Sequence, residues 1–175
     1  MKKVFLPLLV SLTVLPVSAD WIEVCFKDDE CSEVYELSSD QFDGEAKEIL
    51  NSLEKLKVGV YKAYPHYFKD NYRGLYYPDD NNIFLNMGYI DVHDDFLNIL
   101  RHESWHVVQD CKDGLYNSSL QKIWMTVPQK YTEDAKKRYG VDPTVVRIER
   151  EALWAGETYG MSASQLGECV KKYGL

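Results

Sequence analysis

Between Leu100 and Val108 the chain reads Leu-Arg-His-Glu-Ser-Trp-His-Val-Val, which sets two histidines four residues apart with a glutamate beside the first. On a helix, four residues is just over one turn, so His102 and His106 project from one face, one above the other. Two imidazoles stacked in this way can each give a ring nitrogen to a single Zn²⁺ at about 2.0–2.1 Å. Glu103 points about 100° away around the helix, out of line as a ligand but within reach of a water in the metal's open position. Zinc can lower the pKa of that water to about 7, and a carboxylate beside it can take the proton as the oxygen attacks a carbonyl. Residues 99, 100, 107 and 108 are apolar, as a helix beneath a sheet requires. Burying two histidines and a glutamate among them costs free energy that a metal offsets directly.

Zinc needs a third protein ligand. The extended pattern HExxHxxGxxH requires Gly at 109 and His at 112, but those positions hold Gln109 and Lys112. The two remaining histidines, His66 and His93, lie upstream, and His93 falls in a polar turn where a surface position is expected. Downstream, Val145 to Glu157 reads as a helix carrying three carboxylates, Glu149, Glu151 and Glu157. Here the chain resembles the gluzincin group of zinc metallopeptidases, whose second helix supplies a Glu in an ExxA pattern. Glu149-Arg150-Glu151-Ala152 matches that pattern. The resemblance implies His102, His106 and Glu149 as ligands and Glu103 as general base. Glu151 is the rival third ligand, since a shift of two residues is open, and Glu157 is a further alternative.

The likeness spans Asn82 to Ala155, and HExxH is its specific part. It implies that Asn82-Ile83-Phe84-Leu85-Asn86 is an edge strand that pairs with an extended peptide through main-chain hydrogen bonds. Many gluzincins orient a ligand histidine with an Asp four residues after the ligand Glu. That place is Leu153, so the support must come from elsewhere. The oxyanion-stabilising His or Tyr carries no motif among thirteen tyrosines. The cluster Tyr61, Tyr64, Tyr67, Tyr72, Tyr76 and Tyr77 is a candidate groove lining, although aromatic clusters are more often packing.

The elements that must position these residues belong to a 175-residue chain with 45% hydrophobic and 27% charged residues, the balance of a folded protein. A formal charge of -8 makes it a poor candidate for gripping phosphate backbones, so nucleic acid is excluded as a partner. No GxGxxG or GxxxxGK[ST] loop is present. Residues 1–19 read as a cleaved signal peptide. A short basic start precedes the apolar stretch Val4 to Val17, too short to span a bilayer, and small residues end at Ala19. The mature part, residues 20–175, reads as a single zincin-like domain, secreted or periplasmic, with no membrane span.

An exported protein with an even number of cysteines reads as disulfide-bonded. Four cysteines allow three pairings, and a metal role would need a closer spacing than these have. Cys25 and Cys31 flank a polar turn between two β-prone runs, which suits a hairpin closed by its own disulfide and leaves Cys111 to meet Cys169. Helical periodicity is expected over about 40–57, from Asp94 to Gly114, over 128–138 and 143–159, and from Ser162 or Ser164 to near Gly174. A strand is expected within Val58 to Phe68, limited by Pro65. Strands early and helices late give an α+β class without βαβ alternation. Asn117-Ser118-Ser119 fits an N-glycosylation acceptor.

The leading expectation is a zinc metallopeptidase acting on a peptide or protein substrate, with one Zn²⁺ and Glu103 activating the water. The alternative is a zinc-binding interaction or inhibitor module without turnover. A disulfide-stapled domain without metal is the third reading.

Overall fold

The computed structural model describes residues 21–25, 31–69, 72–90, 93–115, 119–123 and 125–175. Five strands form one mixed sheet: β1 (Trp21–Cys25), β2 (Cys31–Glu36), β3 (Gly59–Ala63), β4 (Gly74–Tyr77) and β5 (Asn82–Asn86). Their spatial order is β1-β2-β3-β5-β4; β3 and β5 run parallel, and the other neighbours run antiparallel. Among the described residues six α-helices complete the fold: α1 (Gly44–Lys55), α2 (Met87–Ile90), α3 (His93–Asp113), α4 (Gln129–Tyr139), α5 (Pro143–Glu157) and α6 (Met161–Tyr173). The class is α+β, as the element order predicts.

The alternation of a strand sorts its side chains between two faces. Val60, Ile83 and Leu85 point toward the helices, where they join Leu50 and Leu53 of α1, Leu100 and Val107 of α3, and Leu166 of α6 in the main core. Tyr61 and Phe84 point the other way and pack with Val34, Ala63 and Phe68. Trp105, inside the HExxH stretch, is fully buried in the main core and so fixes the rotation of α3 about its axis.

Two expectations about boundaries are corrected. Ser38-Ser39-Asp40 does not open the long helix; it caps one 3₁₀ turn, with Ser38 N–H donating to the Gln41 side chain. The main helix begins at Gly44, whose φ of +59° turns the chain first. The run Asn82–Asn86 is not the edge strand. All five of its residues are buried, because β4 adds antiparallel on its outer side. Its polar ends are consumed by the fold: Asn86 Nδ2 donates to the Tyr72 carbonyl at 2.8 Å, and Asn86 Oδ1 accepts from Gly88 N–H at 2.9 Å. The edge beside α3 is therefore β4.

The expected strand within 58–68 is β3, and Pro65 opens a 3₁₀ turn just beyond it. Cys111 in the last turn of α3 is bonded to Cys169 of α6, across a sequence separation of 58. The β1–β2 register sets the backbone of Cys25 opposite that of Cys31. Their side chains, the signal segment 1–19 and Asn117-Ser118 lie outside the described residues. Among the described residues no helix is long and apolar enough to cross a membrane. A buried ion pair fixes α3 against α1: Arg101 Nε donates to Glu45 Oε1 at 3.0 Å, and the same carboxylate accepts from Gly160 N–H at 2.7 Å.

Candidate metal centre

The centre depends on how closely α5 approaches α3. Asp142 starts α5 by accepting from Thr144 N–H at 2.8 Å and Val145 N–H at 3.2 Å, with Pro143 in the first turn. The side facing α3 then carries Ala152, Ala155 and Gly156, the two alanines with no exposed surface. A Cβ on Gly156 would stand 3.0 Å from the Asn98 carbonyl oxygen and 3.5 Å from His102 Cβ, so a larger residue would push the two helices apart by a few tenths of an ångström. Small residues at the contact bring Glu149, one turn before Ala152, to the histidines.

His102 Nε2 and His106 Nε2 are 3.3 Å apart. Glu149 Oε2 lies 3.4 Å from His102 Nε2, and Glu149 Oε1 lies 3.8 Å from His106 Nε2. Around a tetrahedral ion with bonds of about 2.0–2.1 Å, donor atoms stand about 3.3–3.4 Å apart. The two imidazole nitrogens match that value, as does Glu149 Oε2 with His102, while the 3.8 Å contact with His106 is made by the other carboxylate oxygen. Glu149 Oε2 is buried, and its 3.4 Å contact with His102 Nε2 is too long for a strong hydrogen bond, an arrangement that a cation would relieve. The residues present thus fit a metal held by two imidazoles and a carboxylate.

Other candidates fall elsewhere. Glu151 is 1% exposed and turned away from the cluster, where it accepts from Ile123 N–H at 2.8 Å and from Gln109 Nε2 at 3.0 Å. Glu157 is on the surface, paired with Lys130 Nζ at 2.9 Å. His66 is exposed between Tyr64 and Tyr67. The backbone of His93 opens α3, and its side chain lies outside the described residues.

Gln109 is the residue that motif reading used only to exclude another family. Its Nε2 donates to Glu151 and, at 3.0 Å, to the Ile148 carbonyl, which leaves its Oε1 as the acceptor. That oxygen lies 2.8 Å from His106 Nδ1, so His106 carries its proton on Nδ1 and turns the lone pair of Nε2 to the cluster. Gln109 and Glu151 thereby provide the support that a residue at 153 does not. The segment between α3 and α4 braces them, because Gln121 N–H also donates to the Gln109 carbonyl at 3.2 Å. Replacing such a supporting partner typically costs about 10–100-fold in metal affinity. Gln109→Leu is therefore expected to weaken metal binding by about 30-fold with the fold intact, measured by competition with a chromophoric chelator. Unchanged affinity would show that His106 needs no orienting partner.

Burial and neighbouring charge set the protonation states of the metal-free cluster. Burial pushes the Glu103 carboxyl up to about 7, and Glu149 adds to this while His102 opposes it. Burial also acts to raise Glu149, but the two imidazoles outweigh it and hold the carboxyl below its ordinary value. For His102, burial works against the charged form, but the Glu149 hydrogen bond and the two glutamates prevail, and its pKa is raised. For His106 burial prevails, and its pKa is lowered.

Tyr139, the last residue of α4, joins this group. Its hydroxyl faces the Glu149 carboxylate, and burial together with Glu149 and Glu103 raises its pKa far above the usual phenol value. The proposed tyrosine groove does not form as one surface. Tyr61 and Tyr67 belong to the cluster on the far face of the sheet, Tyr64 pairs with Tyr35, and Tyr76 donates to Asp110 at 2.8 Å. Nothing around Tyr139 in the sequence marks it, since the end of α4 meets the site only through the packing of α4 on α5. No known protein family, curated protein or solved structure matches the chain.

Proposed function

We propose that the chain is a zinc-dependent metallopeptidase. The observation that carries this reading is the close grouping of His102, His106 and Glu149, with Glu103 next to His102 on the same helix. Two histidines and one glutamate are a donor set of catalytic zinc sites, which keep a fourth position for water or substrate. Zinc bound there would polarise the scissile carbonyl and acidify the attacking water.

Glu103 takes the proton from that water and later passes it to the leaving amine. Without metal, burial raises the pKa of its carboxyl to about 7; a cation bound beside it would favour the ionised form that accepts the proton. Tyr139 keeps its proton at neutral pH, and its hydroxyl faces Glu149, where it donates to that carboxylate and holds it in place. The substrate lies along β4, which among the described residues pairs on one side only, with β5. An extended peptide added to that edge would lie beside Gly74, against which Glu103 packs. The Cys111–Cys169 bond supports export to an oxidising compartment, secreted or periplasmic.

The competing reading is a zinc-binding module without turnover, and it draws on one observation: Glu103 is only 5% exposed. Elemental analysis of residues 20–175 tests the shared part. One equivalent of zinc is expected in the wild type and none in the His102→Ala/His106→Ala protein. Cleavage of a peptide library by the zinc-loaded wild type then separates the two readings. No zinc after reconstitution of a folded protein would remove both.

A further inference from the structure

The structure assigns Gly74 of β4 as the positioning residue for Glu103, an inference that rests on the peptidase reading above. A Cβ placed on Gly74 would stand 2.7 Å from Glu103 Cγ, 2.7 Å from Oε1 and 2.9 Å from Cδ. Those distances are well inside van der Waals contact, so the carboxylate arm of Glu103 lies flat on the bare backbone of the strand. Gly74 does not have a left-handed φ, so conformational freedom does not explain the glycine. The space does: a side chain and Glu103 cannot both occupy it.

The strand cannot simply yield, because it is fastened on both sides of Gly74. Immediately before it, the Arg73 carbonyl accepts from Asn86 N–H at 2.9 Å, and the Arg73 guanidinium lies over the Tyr89 ring at 5.1 Å. Two residues after it, on the same face of the strand, Tyr76 reaches down to Asp110 of α3, two turns beyond Glu103. Gly74 itself pairs with Leu85 of β5. The helix is equally fixed through buried Trp105. Between two immobile elements the one movable part is the Glu103 side chain. A methyl group at position 74 therefore swings its carboxylate away from the place where a zinc-bound water would sit. The ligands are on other faces: Gly156 bounds His102 from α5, Gln109 holds His106, and Glu149 belongs to α5.

The expected effect falls on one kinetic constant. A misplacement of about 1 Å at a catalytic group costs on the order of 100-fold. Gly74→Ala should retain one equivalent of zinc and lower kcat by about 100-fold with KM within about twofold. Its cobalt-substituted form should show shifted visible bands, because the water beside the displaced carboxylate loses its partner. The effect should vanish in the Glu103→Gln background, where no proton acceptor remains to be displaced. An unchanged kcat, or an equal further loss on top of Glu103→Gln, would overturn the assignment.

The contact can also be read without turnover. Thermal unfolding of Gly74→Ala, Glu103→Ala and the double variant should show that the methyl group lowers the midpoint in the wild type and not when Glu103 is truncated. Additive losses would refute the contact even in a protein that cleaves nothing. If instead the wild type holds no zinc and cleaves no peptide while this coupling is present, the metallopeptidase reading fails and the steric pairing of Gly74 with Glu103 stands.

Discussion

Glu103→Gln is expected to lower peptide hydrolysis by about 10³-fold while leaving one equivalent of zinc in the protein, within the range that a positioned general base contributes. Glutamine preserves the volume that fits beneath Gly74, and Glu103 lies outside the group of three donors, so neither packing nor ligation is disturbed. Only the capacity to hold a proton is removed. Assays of zinc content and kcat/KM on the same preparation decide the matter, and near-normal turnover would exclude Glu103 as the base.

The same substitution has an opposite effect on the stability of the metal-free protein. The Glu103 carboxyl is raised from 4.5 to about 7 in the fold. Below the lower value the group is protonated whether the chain is folded or not, and it costs nothing. Between the two values the unfolded chain ionises first, and the folded state loses ground. Above about 7 the folded protein carries the whole penalty of a buried carboxylate, on the order of 3 kcal/mol. In the presence of a chelator, Glu103→Gln should therefore unfold at a higher temperature than the wild type at pH 8, and at nearly the same temperature at pH 4.5. Parallel unfolding profiles at the two pH values would contradict the buried state of Glu103.

The second large effect concerns Cys111 and Cys169. They lie 58 residues apart in sequence, and chain entropy assigns about 4 kcal/mol to closing a loop of that length. Both are buried, at 2% and 5% exposure, where alanine adds no unsatisfied polar atom. Cys111→Ala/Cys169→Ala is expected to lower the unfolding midpoint by about 12 °C. The closed loop contains α4, α5 and the segment that braces Glu151, hence Tyr139 and Glu149 as well. Zinc affinity should fall along with stability. A shift of only one or two degrees would mean that the packing of α6 on α3 holds the loop without the bond.

The readable part of the site was the part built along one element. His102, Glu103 and His106 follow from a four-residue step on an apolar-flanked helix, and Glu149 from the resemblance of Glu149-Arg150-Glu151-Ala152 to an ExxA pattern, which left Glu151 as its rival. His102, His106 and Glu149 come together, with contacts of 3.3 to 3.8 Å. Gln109, Tyr139 and Gly74 were not legible, because each acts across a contact between elements that are distant in sequence. Gln109 means nothing until Glu151 and Ile148 stand opposite it, and Gly74 looks like any glycine in a turn-rich stretch until α3 passes beneath it. The same limit explains the edge strand. Composition predicts that Asn82–Asn86 is a strand, but strand order is a property of the assembled sheet, and the short run after Gly74 takes the outer position.

The hydrogen bond from Ile123 to Glu151 is made by the main chain, at 2.8 Å, and so is the one from Gln121 to Gln109. Any amino acid except proline brings the same N–H to those places. In diverging descendants of this chain, the connection between α3 and α4 is thus free to change its side chains while still bracing the histidine. What is inherited there is a path of the backbone, and alignment of residue types would pass over it.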